Sequence, residues 1–216
     1  GYIGSHMVWL LGQRGARVTV LDNLSTGHRD AVLCARLVEG DMADADLLGS
    51  LFGQHRFDAV MHFASCIQVG ESVVDPAKYY LNNVSNTLVL LGAMRKHGVQ
   101  HFVFSSTAAV FGEPLYSPID EQHPRAPINP YGRTKWMIEQ ALDDYGHAYG
   151  LRSVSMRYFN AAGARPDGLL GERHEPETHL IPLVLQAAAG PRPHITVFGF
   201  DYDPPAGTCT RDYIHV

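Results

Sequence analysis

The chain has 216 residues, of which 45% are hydrophobic and 18% are charged, and its formal net charge is −5. This composition is typical of globular proteins and excludes a disordered or collagen-like chain. At about 150 residues per domain, the length predicts one full domain and part of a second. With an acidic balance and no block of five Lys or Arg residues, neither a nucleic acid nor an anionic membrane surface is expected as a partner.

The cysteines and the start of the chain indicate the compartment. Cys34, Cys66 and Cys209 are odd in number, widely separated and without a C-x-x-C pair, so neither a disulfide framework nor a structural zinc site is expected, and no metal is predicted. The longest apolar runs are far shorter than the ~20 residues that cross a bilayer. No secretory signal follows the first residue. We therefore expect a cytoplasmic protein. We also expect that residue 1 lies within a longer chain, because it is not a methionine.

Short β-branched and aromatic runs alternate with helical stretches along the chain. Strands are predicted at 17–22, 56–64, 101–106, 154–159, 194–198 and 211–216. Helices are predicted after Gly4, at 79–97, at 130–149 and at 180–189. The region 163–179 is rich in Gly, Pro, Arg, Glu and His and is expected to be irregular. This βαβα order predicts an α/β fold with a Rossmann-like, doubly wound parallel sheet.

The first residues have the order of a dinucleotide-binding unit. Gly1-Tyr2-Ile3-Gly4 opens directly into a helix, and the strand that follows ends in Asp22, eighteen residues after Gly4. Glycines let the backbone approach a pyrophosphate, and an acid at this distance binds ribose hydroxyls, which favours NAD over NADP. A simple helix-initiating turn and a capping role for Asp22 are the alternatives. Asp41 could equally lie beside an adenine or cap a helix.

Tyr131 and Lys135 stand at i and i+4, on one face of a helix that starts at Pro130. A tyrosine that acts as a base near neutrality needs its pKa of ~10 lowered, and both an ammonium and a helix N-terminus act in that direction. The alternative is an exposed surface pair. Ser105, Ser106 and Thr107 end an apolar strand at the carboxyl edge, where such sheets bind ligands. Capping is the simpler role for the two serines.

Besides G-x-x-G and Y-x-x-x-K, the chain contains the segments LDNLSTG, VEGDMAD, HFAS with VGESV, YYLNNVSNT, FSSTAAVFGE, YFNAAGA, ETHLIP and GTCTRDYIHV. These ten segments, spread in order along the whole chain, resemble the UDP-glucose 4-epimerases of the extended short-chain dehydrogenase/reductase superfamily. The broader resemblance rests on G-x-x-G and Y-x-x-x-K, and the narrower one on YFNAAGA, ETHLIP and RDYIHV. The resemblance implies an NAD-binding domain at 1–160 whose first strand is missing, and a partial substrate-binding region at 161–216. Residues 195–216 would include strands that return to the main domain.

The resemblance also implies roles for individual residues. Tyr131, Lys135 and Thr107 would be catalytic. The cofactor would be held by Gly1, Tyr2, Ile3, Gly4, Asp22, Asn23, Leu24, Ser25, Thr26, Gly27, Asp41, Met42, Phe63, Ala64, Ser65, Asn82, Tyr158 and Phe159, together with Tyr131 and Lys135. The nucleotide sugar would contact Asn160, His179, Leu180, Phe198 and Arg211, besides Thr107.

The activity implied is the NAD-dependent interconversion of UDP-glucose and UDP-galactose by transient oxidation at C4 of the sugar, an isomerisation in galactose metabolism. Epimerases of UDP-N-acetylglucosamine or of UDP-pentoses remain alternatives, as does a non-catalytic NAD-binding module. A 4,6-dehydratase is disfavoured, because Ala108 and Ala109 stand where it needs an acid and a base. The helices at 79–97 and 130–149 resemble those through which family members form homodimers, although their apolar residues could all belong to the core. The fragment by itself is expected to be inactive.

Overall fold

The structure is a computed structural model that describes residues 1–197, 199, 201 and 211–216. The strands are β1 (Thr19–Asp22), β2 (Arg36–Glu39), β3 (Val60–His62), β4 (His101–Ser105), β5 (Arg152–Met156), β6 (Asn160–Ala162) and β7 (Tyr213–His215). The helices are α1 (Tyr2–Gln13), α2 (Ala45–Gln54), α3 (Val69–Val74), α4 (Pro76–Tyr79), α5 (Asn86–Lys96), α6 (Pro130–Tyr149) and α7 (Leu180–Ala189). In the part of the chain described, no helix has the length and apolar character needed to cross a membrane.

All strand pairs are parallel. β1 pairs with β2, β4 lies between β3 and β5, and β6 pairs with β7. The predicted α/β class with parallel strands is therefore confirmed. The described strands form three separately hydrogen-bonded groups, and among them no ladder joins β1 to β3.

The main core lies against one face of β4. Phe102 and Phe104, which are two residues apart and so share that face, are each 1% exposed, whereas the residue between them is only half-buried. Leu91 and Met94 of α5 and Ile138 of α6 belong to the same cluster. Burying side chains of this size stabilises a fold by about 1.5–3 kcal/mol each. Burial therefore holds β4 in place, and with it the residues that directly follow the strand.

Helix α6 spans the predicted range, because its ends have strong local signals. The Asn129 side chain accepts a hydrogen bond of 2.8 Å from the Gly132 amide, and Pro130 occupies the first turn. Gly150 ends the helix with φ +73°, a left-handed conformation that favours glycine. Helix α7 likewise spans the predicted 180–189 and ends at Gly190.

Other predicted boundaries were wrong. The helix predicted at 79–97 begins at Pro76, where the Asp75 carboxylate caps it, and is interrupted by a π-helical turn, Tyr80–Ser85. Strand β2 was not predicted, because its four residues carry no turn signals that distinguish them from a loop. The strand predicted at 194–198 is absent at 194–197, and Phe198 lies outside the described residues. Pro191 and Pro193 lack the N–H donors of a strand, which favours irregular backbone there.

Candidate functional site

The first turn of α1 packs on the residue that follows β3. A Cβ built on Gly4 would lie 3.4 Å from Phe63 Cβ. The Tyr2 hydroxyl donates a hydrogen bond of 2.6 Å to the Gly163 carbonyl, which fixes the start of the helix. Because the first amides of a helix have no partner within it, this turn can accept an anion, and Ile3 lies within the same turn.

The residues predicted around an adenosine come together at the ends of β1 and β2. Asn23 donates a hydrogen bond of 2.8 Å from Nδ2 to Asp41 Oδ2, which joins the two loops. A Cβ on Gly27 would lie 2.8 Å from Asp22 Oδ2, so only glycine lets this loop close on the carboxylate. Leu24, Ser25 and Thr26 form the rest of the loop, and Met42 is buried beside Asp41.

Lys135 is the buried cation of the site, with 1% of its surface exposed. Its Nζ donates hydrogen bonds of 2.8 Å to Ser65 Oγ and 2.7 Å to the Ser105 carbonyl. The lysine of α6 therefore joins the ends of β3 and β4, beside Phe63 and Ala64. Burial lowers the pKa of Lys135 to about 7, because desolvation disfavours the charged ammonium.

Tyr131, the second residue of α6, has its pKa raised to about 12 by burial. A hydrogen bond with Thr107 acts in the opposite direction but is the smaller effect. The expectation of a lowered pKa is therefore wrong for this structure. Lys135 Nζ lies 5.9 Å from the centre of the phenol ring and is bonded to Ser65 and Ser105 instead. Its positive charge is consequently too distant to outweigh desolvation.

A close backbone contact sets Tyr131 beside Thr107. A Cβ on Gly132 would lie 2.6 Å from the Ala109 carbonyl oxygen, so the first turn of α6 packs directly on the loop after β4. Thr107 Oγ1 accepts a hydrogen bond of 3.1 Å from the Ala109 amide and caps a short 3₁₀ turn. The Thr107 hydroxyl therefore both caps the 3₁₀ turn and is hydrogen-bonded to the Tyr131 phenol.

The segment after β5 covers the same edge of the sheet. The Tyr158 hydroxyl is hydrogen-bonded to Ser105 Oγ, and burial raises the pKa of Tyr158. Phe159 is 46% exposed and borders open space. Asn160 Nδ2 donates a hydrogen bond of 2.8 Å to the Asp212 carbonyl, at the start of the β6–β7 pair.

The predicted substrate contacts are only partly assembled among the described residues. His179 precedes α7, Leu180 is 53% exposed at its start, and exposed Arg211 precedes β7. Phe198 lies outside the described residues. Asn82 lies in the π-helical turn, with Nδ2 donating to Asn83 Oδ1 at 2.9 Å.

Asn83 is a site-building residue that the sequence analysis missed. Its Oδ1 accepts a hydrogen bond of 2.9 Å from the Cys66 amide, and its Nδ2 donates to the Cys66 carbonyl and to Thr134 Oγ1. One buried amide thereby ties the segment after β3 to α6, on which Lys135 stands. The signal available in the sequence was a pair of asparagines within an otherwise amphipathic helix.

Together, the first turn of a helix, an acid after the next strand and a Tyr–Lys pair at the carboxyl edge have the arrangement of a dinucleotide-binding, Rossmann-type α/β protein. Residues 1–216 match the NAD dependent epimerase/dehydratase family. The chain belongs to this family, and the resemblance found in the sequence is confirmed. NAD, the cofactor predicted from the sequence, is also the one in the family description.

Individual relatives are similar over the whole chain. A UDP-glucose 4-epimerase of Rhizobium meliloti (strain 1021) is 56% identical over 216 residues, which are 100% of this chain and 66% of that protein. The crystal structure of UDP-glucose 4-epimerase from Brucella ovis in complex with NAD has a TM-score of 0.97 and 53% identity, covering 100% of this chain and 66% of that one. An enzyme from Stenotrophomonas maltophila, with bound NAD and formylated UDP-arabinopyranose, has a TM-score of 0.94 and 39% identity, covering 100% and 67%. The chain thus spans about two thirds of these relatives.

Proposed function

We propose that the protein containing this chain is an NAD-dependent isomerase that interconverts UDP-glucose and UDP-galactose at C4 and serves galactose metabolism. The observation that carries the proposal is the grouping of Tyr131, Thr107 and Lys135 at the carboxyl ends of β3 and β4. The proposal is supported by the similarity of the whole of this chain to UDP-glucose 4-epimerases.

The residues at the start of the chain fit NAD. The amides in the first turn of α1 suit a pyrophosphate, and Asp22 suits the adenosine ribose, because its carboxylate would repel the 2′-phosphate of NADP. Asn23 and Asp41 form one connected rim beside Met42, where an adenine would lie. When bound, NAD would supply a hydride acceptor that returns the hydride, so the reaction has no net redox change.

The protein's own groups would handle the proton. Tyr131 would take the proton of the sugar 4-hydroxyl, and Thr107, which is hydrogen-bonded to the phenol, would orient the reacting oxygen with a hydrogen bond of its own. Lys135 would stabilise the phenolate from its buried position. Tyr158 and Phe159 would border the reacting ring and limit access of water. With a pKa of about 12, Tyr131 needs additional positive charge beside it before it acts as a base near neutrality.

The nucleotide sugar would lie along the β6–β7 region. Asn160, His179, Leu180 and Phe198 would hold it, and Arg211 would face the diphosphate, whose oxygens suit a guanidinium. UDP-N-acetylglucosamine and UDP-pentoses are the closest alternative substrates, and the similarity to a structure containing formylated UDP-arabinopyranose favours testing pentoses.

The strand order supports the proposed domain division. In a doubly wound sheet with order 3-2-1-4-5-6, β2, β1, β3, β4 and β5 correspond to strands 3, 2, 4, 5 and 6. Strand 1 then belongs between β1 and β3, where the described ladders are interrupted, and it would precede Gly1. Residues 1–160 would form the NAD-binding domain and 161–216 part of a substrate region. We propose that the complete protein is a cytoplasmic homodimer.

The decisive experiment uses the protein at its full natural length. UDP-galactose is supplied without added reductant, and UDP-glucose formation is followed together with the NAD content of the purified protein. Tyr131→Phe should retain NAD and lose at least about 100-fold in turnover, the lower range for general acid–base catalysis. Lys135→Ala should weaken both NAD retention and turnover.

The matched control is Tyr149→Phe, which removes a hydroxyl from the other end of the same helix, where the ring is 47% exposed. This variant should retain wild-type turnover. A wild-type protein that binds NAD but interconverts no UDP-hexose, UDP-N-acetylhexosamine or UDP-pentose would refute the proposal and support a non-catalytic NAD-binding module.

A further inference from the structure

The segment that connects β6 to α7 is irregular but firmly held. The Arg173 guanidinium bonds both carboxylate oxygens of Asp30, at 2.6 and 3.2 Å. The Tyr2 hydroxyl holds the beginning of the segment through Gly163, and Leu170 is 2% exposed. The side chains of this segment are therefore fixed in place beside the first turn of α1.

Four potential metal ligands converge within this segment. Glu172, His174, Glu177 and His179, here termed the His–Glu cluster, each offer one ligand atom within 4.8 Å of the others. His179 Nδ1 lies 3.0 Å from Glu172 Oε1 and 2.8 Å from Glu177 Oε1. His174 Nδ1 lies 3.5 Å from Glu172 Oε1 and 3.7 Å from Glu177 Oε2.

These separations suit a tetrahedral ion. With metal–ligand distances of 2.0–2.2 Å, the edges of a tetrahedron of nitrogen and oxygen ligands are about 3.3–3.6 Å long. The four imidazole–carboxylate distances, 2.8–3.7 Å, which run to one oxygen of Glu172 and to both oxygens of Glu177, bracket that length. Small side-chain movements would therefore bring one ligand atom of each residue around one ion.

Without a cation, the His–Glu cluster has uncompensated negative charge and an imidazole nitrogen without a hydrogen-bond partner. His174 Nδ1 is inaccessible to solvent and has no hydrogen-bond partner. The Glu172 and Glu177 carboxylates each place an oxygen within 4.8 Å of the other. A divalent cation would balance two carboxylates and would give the Nδ1 lone pair of His174 a partner.

We propose that the His–Glu cluster is a binding site for a divalent transition-metal ion. Two imidazoles select Zn²⁺ and its neighbours over Mg²⁺ and Ca²⁺, which prefer all-oxygen ligands. The ion would lie beside the α1 turn, because the ring centres of His174 and Tyr2 are 6.4 Å apart. The proposal concerns metal binding and does not rest on the proposed epimerase activity, but it gives His179, proposed above as a nucleotide-sugar contact, a second role. It revises the expectation of no metal, which rested on cysteine spacing and overlooked the pattern E-x-H-x-x-E-x-H.

A purely structural role is the competing explanation. Glu177 Oε1 also accepts hydrogen bonds of 2.8 Å from the amides of Thr178 and His179, as a carboxylate that orders a loop before a helix would. In that case the imidazoles would only pack against the carboxylates. Metal binding distinguishes the two roles, because a loop-ordering cluster has no affinity for Zn²⁺ beyond that of scattered surface histidines.

The test measures Zn²⁺ binding to the full-length protein, prepared without a polyhistidine tag and stripped with a chelator. Zn²⁺ is titrated in competition with a chromogenic chelator. We expect one tight equivalent, whose dissociation constant rises by about 100-fold or more in His174→Ala/His179→Ala, since even the loss of an outer-shell partner costs about 10- to 100-fold. The matched control, His147→Ala/His194→Ala, removes two exposed histidines elsewhere and should leave the tight equivalent intact.

A second variant guards against misfolding of the first. Glu172→Gln/Glu177→Gln keeps the side-chain shapes and should also lose the tight equivalent while keeping the far-ultraviolet circular dichroism of the wild type. Co²⁺ in place of Zn²⁺ should give the intense visible bands of tetrahedral coordination. Equal Zn²⁺ affinities for the wild type and both cluster variants would overturn the proposal, and so would loss of the tight equivalent in the control variant.

Discussion

Lys135 is a buried cation whose environment makes stability depend on pH. Its pKa is about 7 in the folded protein and ~10.4 in an unfolded chain. Between these values the unfolded state holds a proton that the folded state lacks, so the free energy of unfolding rises with pH by up to about 1.4 kcal/mol per unit. Below about pH 7 both states are protonated, and the cost of burying the charge is at its largest.

Replacing Lys135 with methionine should remove this slope. From pH 7 to 9.5, denaturant unfolding of the NAD-free protein should show the wild type gaining stability relative to Lys135→Met. The upper limit avoids the region above pH 10, where the raised pKa of Tyr131 makes stability fall with pH. Lys96→Met changes an exposed residue at the end of α5, and its free energy of unfolding should depend on pH as that of the wild type does. Parallel curves for Lys135→Met would mean that the lysine is not a titrating group in this range.

Individual residue types could be predicted from the sequence, but their charge states could not. The Tyr131–Lys135 spacing identified the pair, because i and i+4 always share a helix face. Whether the phenol pKa rises or falls depends on burial and on where the ammonium bonds, and Ser65 and Ser105 come from distant strands. The buried role of Asn83 was hidden for the same reason, since its partner Cys66 lies on another segment.

The contact between α6 and the loop after β4 explains why residue 132 is a glycine. A Cβ there would lie 2.6 Å from Ala109 O and 3.1 Å from Pro127 Cβ. Gly132→Ala should therefore lower the free energy of unfolding by about 1–3 kcal/mol, as overpacking does. It should also reduce turnover, because the helix start that carries Tyr131 must shift away from Thr107.

Gly92→Ala in α5 is the matched control, since a Cβ there meets nothing within 4 Å. Alanine is favoured over glycine within a helix, so this variant should gain about 0.5–1 kcal/mol. Thermal and denaturant unfolding measure both changes. A Gly132→Ala protein as stable and active as Gly92→Ala would show that the contact is less tight than described.

Elements were predictable where their signals are local. Helices α6 and α7 have clear ends, and β4 has an apolar run whose alternate residues, Phe102 and Phe104, are buried. Strand β2 and the π-helical turn at Tyr80–Ser85 depend on partners elsewhere in the fold, so propensity and periodicity did not reveal them. The same holds for the His–Glu cluster, whose spacing became informative only when the segment was seen folded.

At the scale of the whole molecule, the apolar residues of the two helices predicted to form a dimer separate into two groups. Ile138 and Leu142 are buried in the core, whereas Leu81 is 62% and Leu88 is 39% exposed. Met137 of α6 is also 42% exposed. The two explanations from the sequence, a dimer contact and membership of the core, therefore each fit only one group of residues, because one group packs internally and the other faces outward.

The exposed group supports the proposed homodimer and makes it testable. Sedimentation of the full-length protein at micromolar concentration should give a dimer, and Leu81→Asp/Leu88→Asp should convert it to a monomer, since an unpaired carboxylate is costly to bury in an apolar interface. Leu115→Asp is the matched control, because Leu115 is 75% exposed but lies outside these helices, and this variant should remain dimeric. A monomeric wild type would reject the homodimer. Dissociation by Leu115→Asp alone would instead place the interface on the loop between β4 and α6.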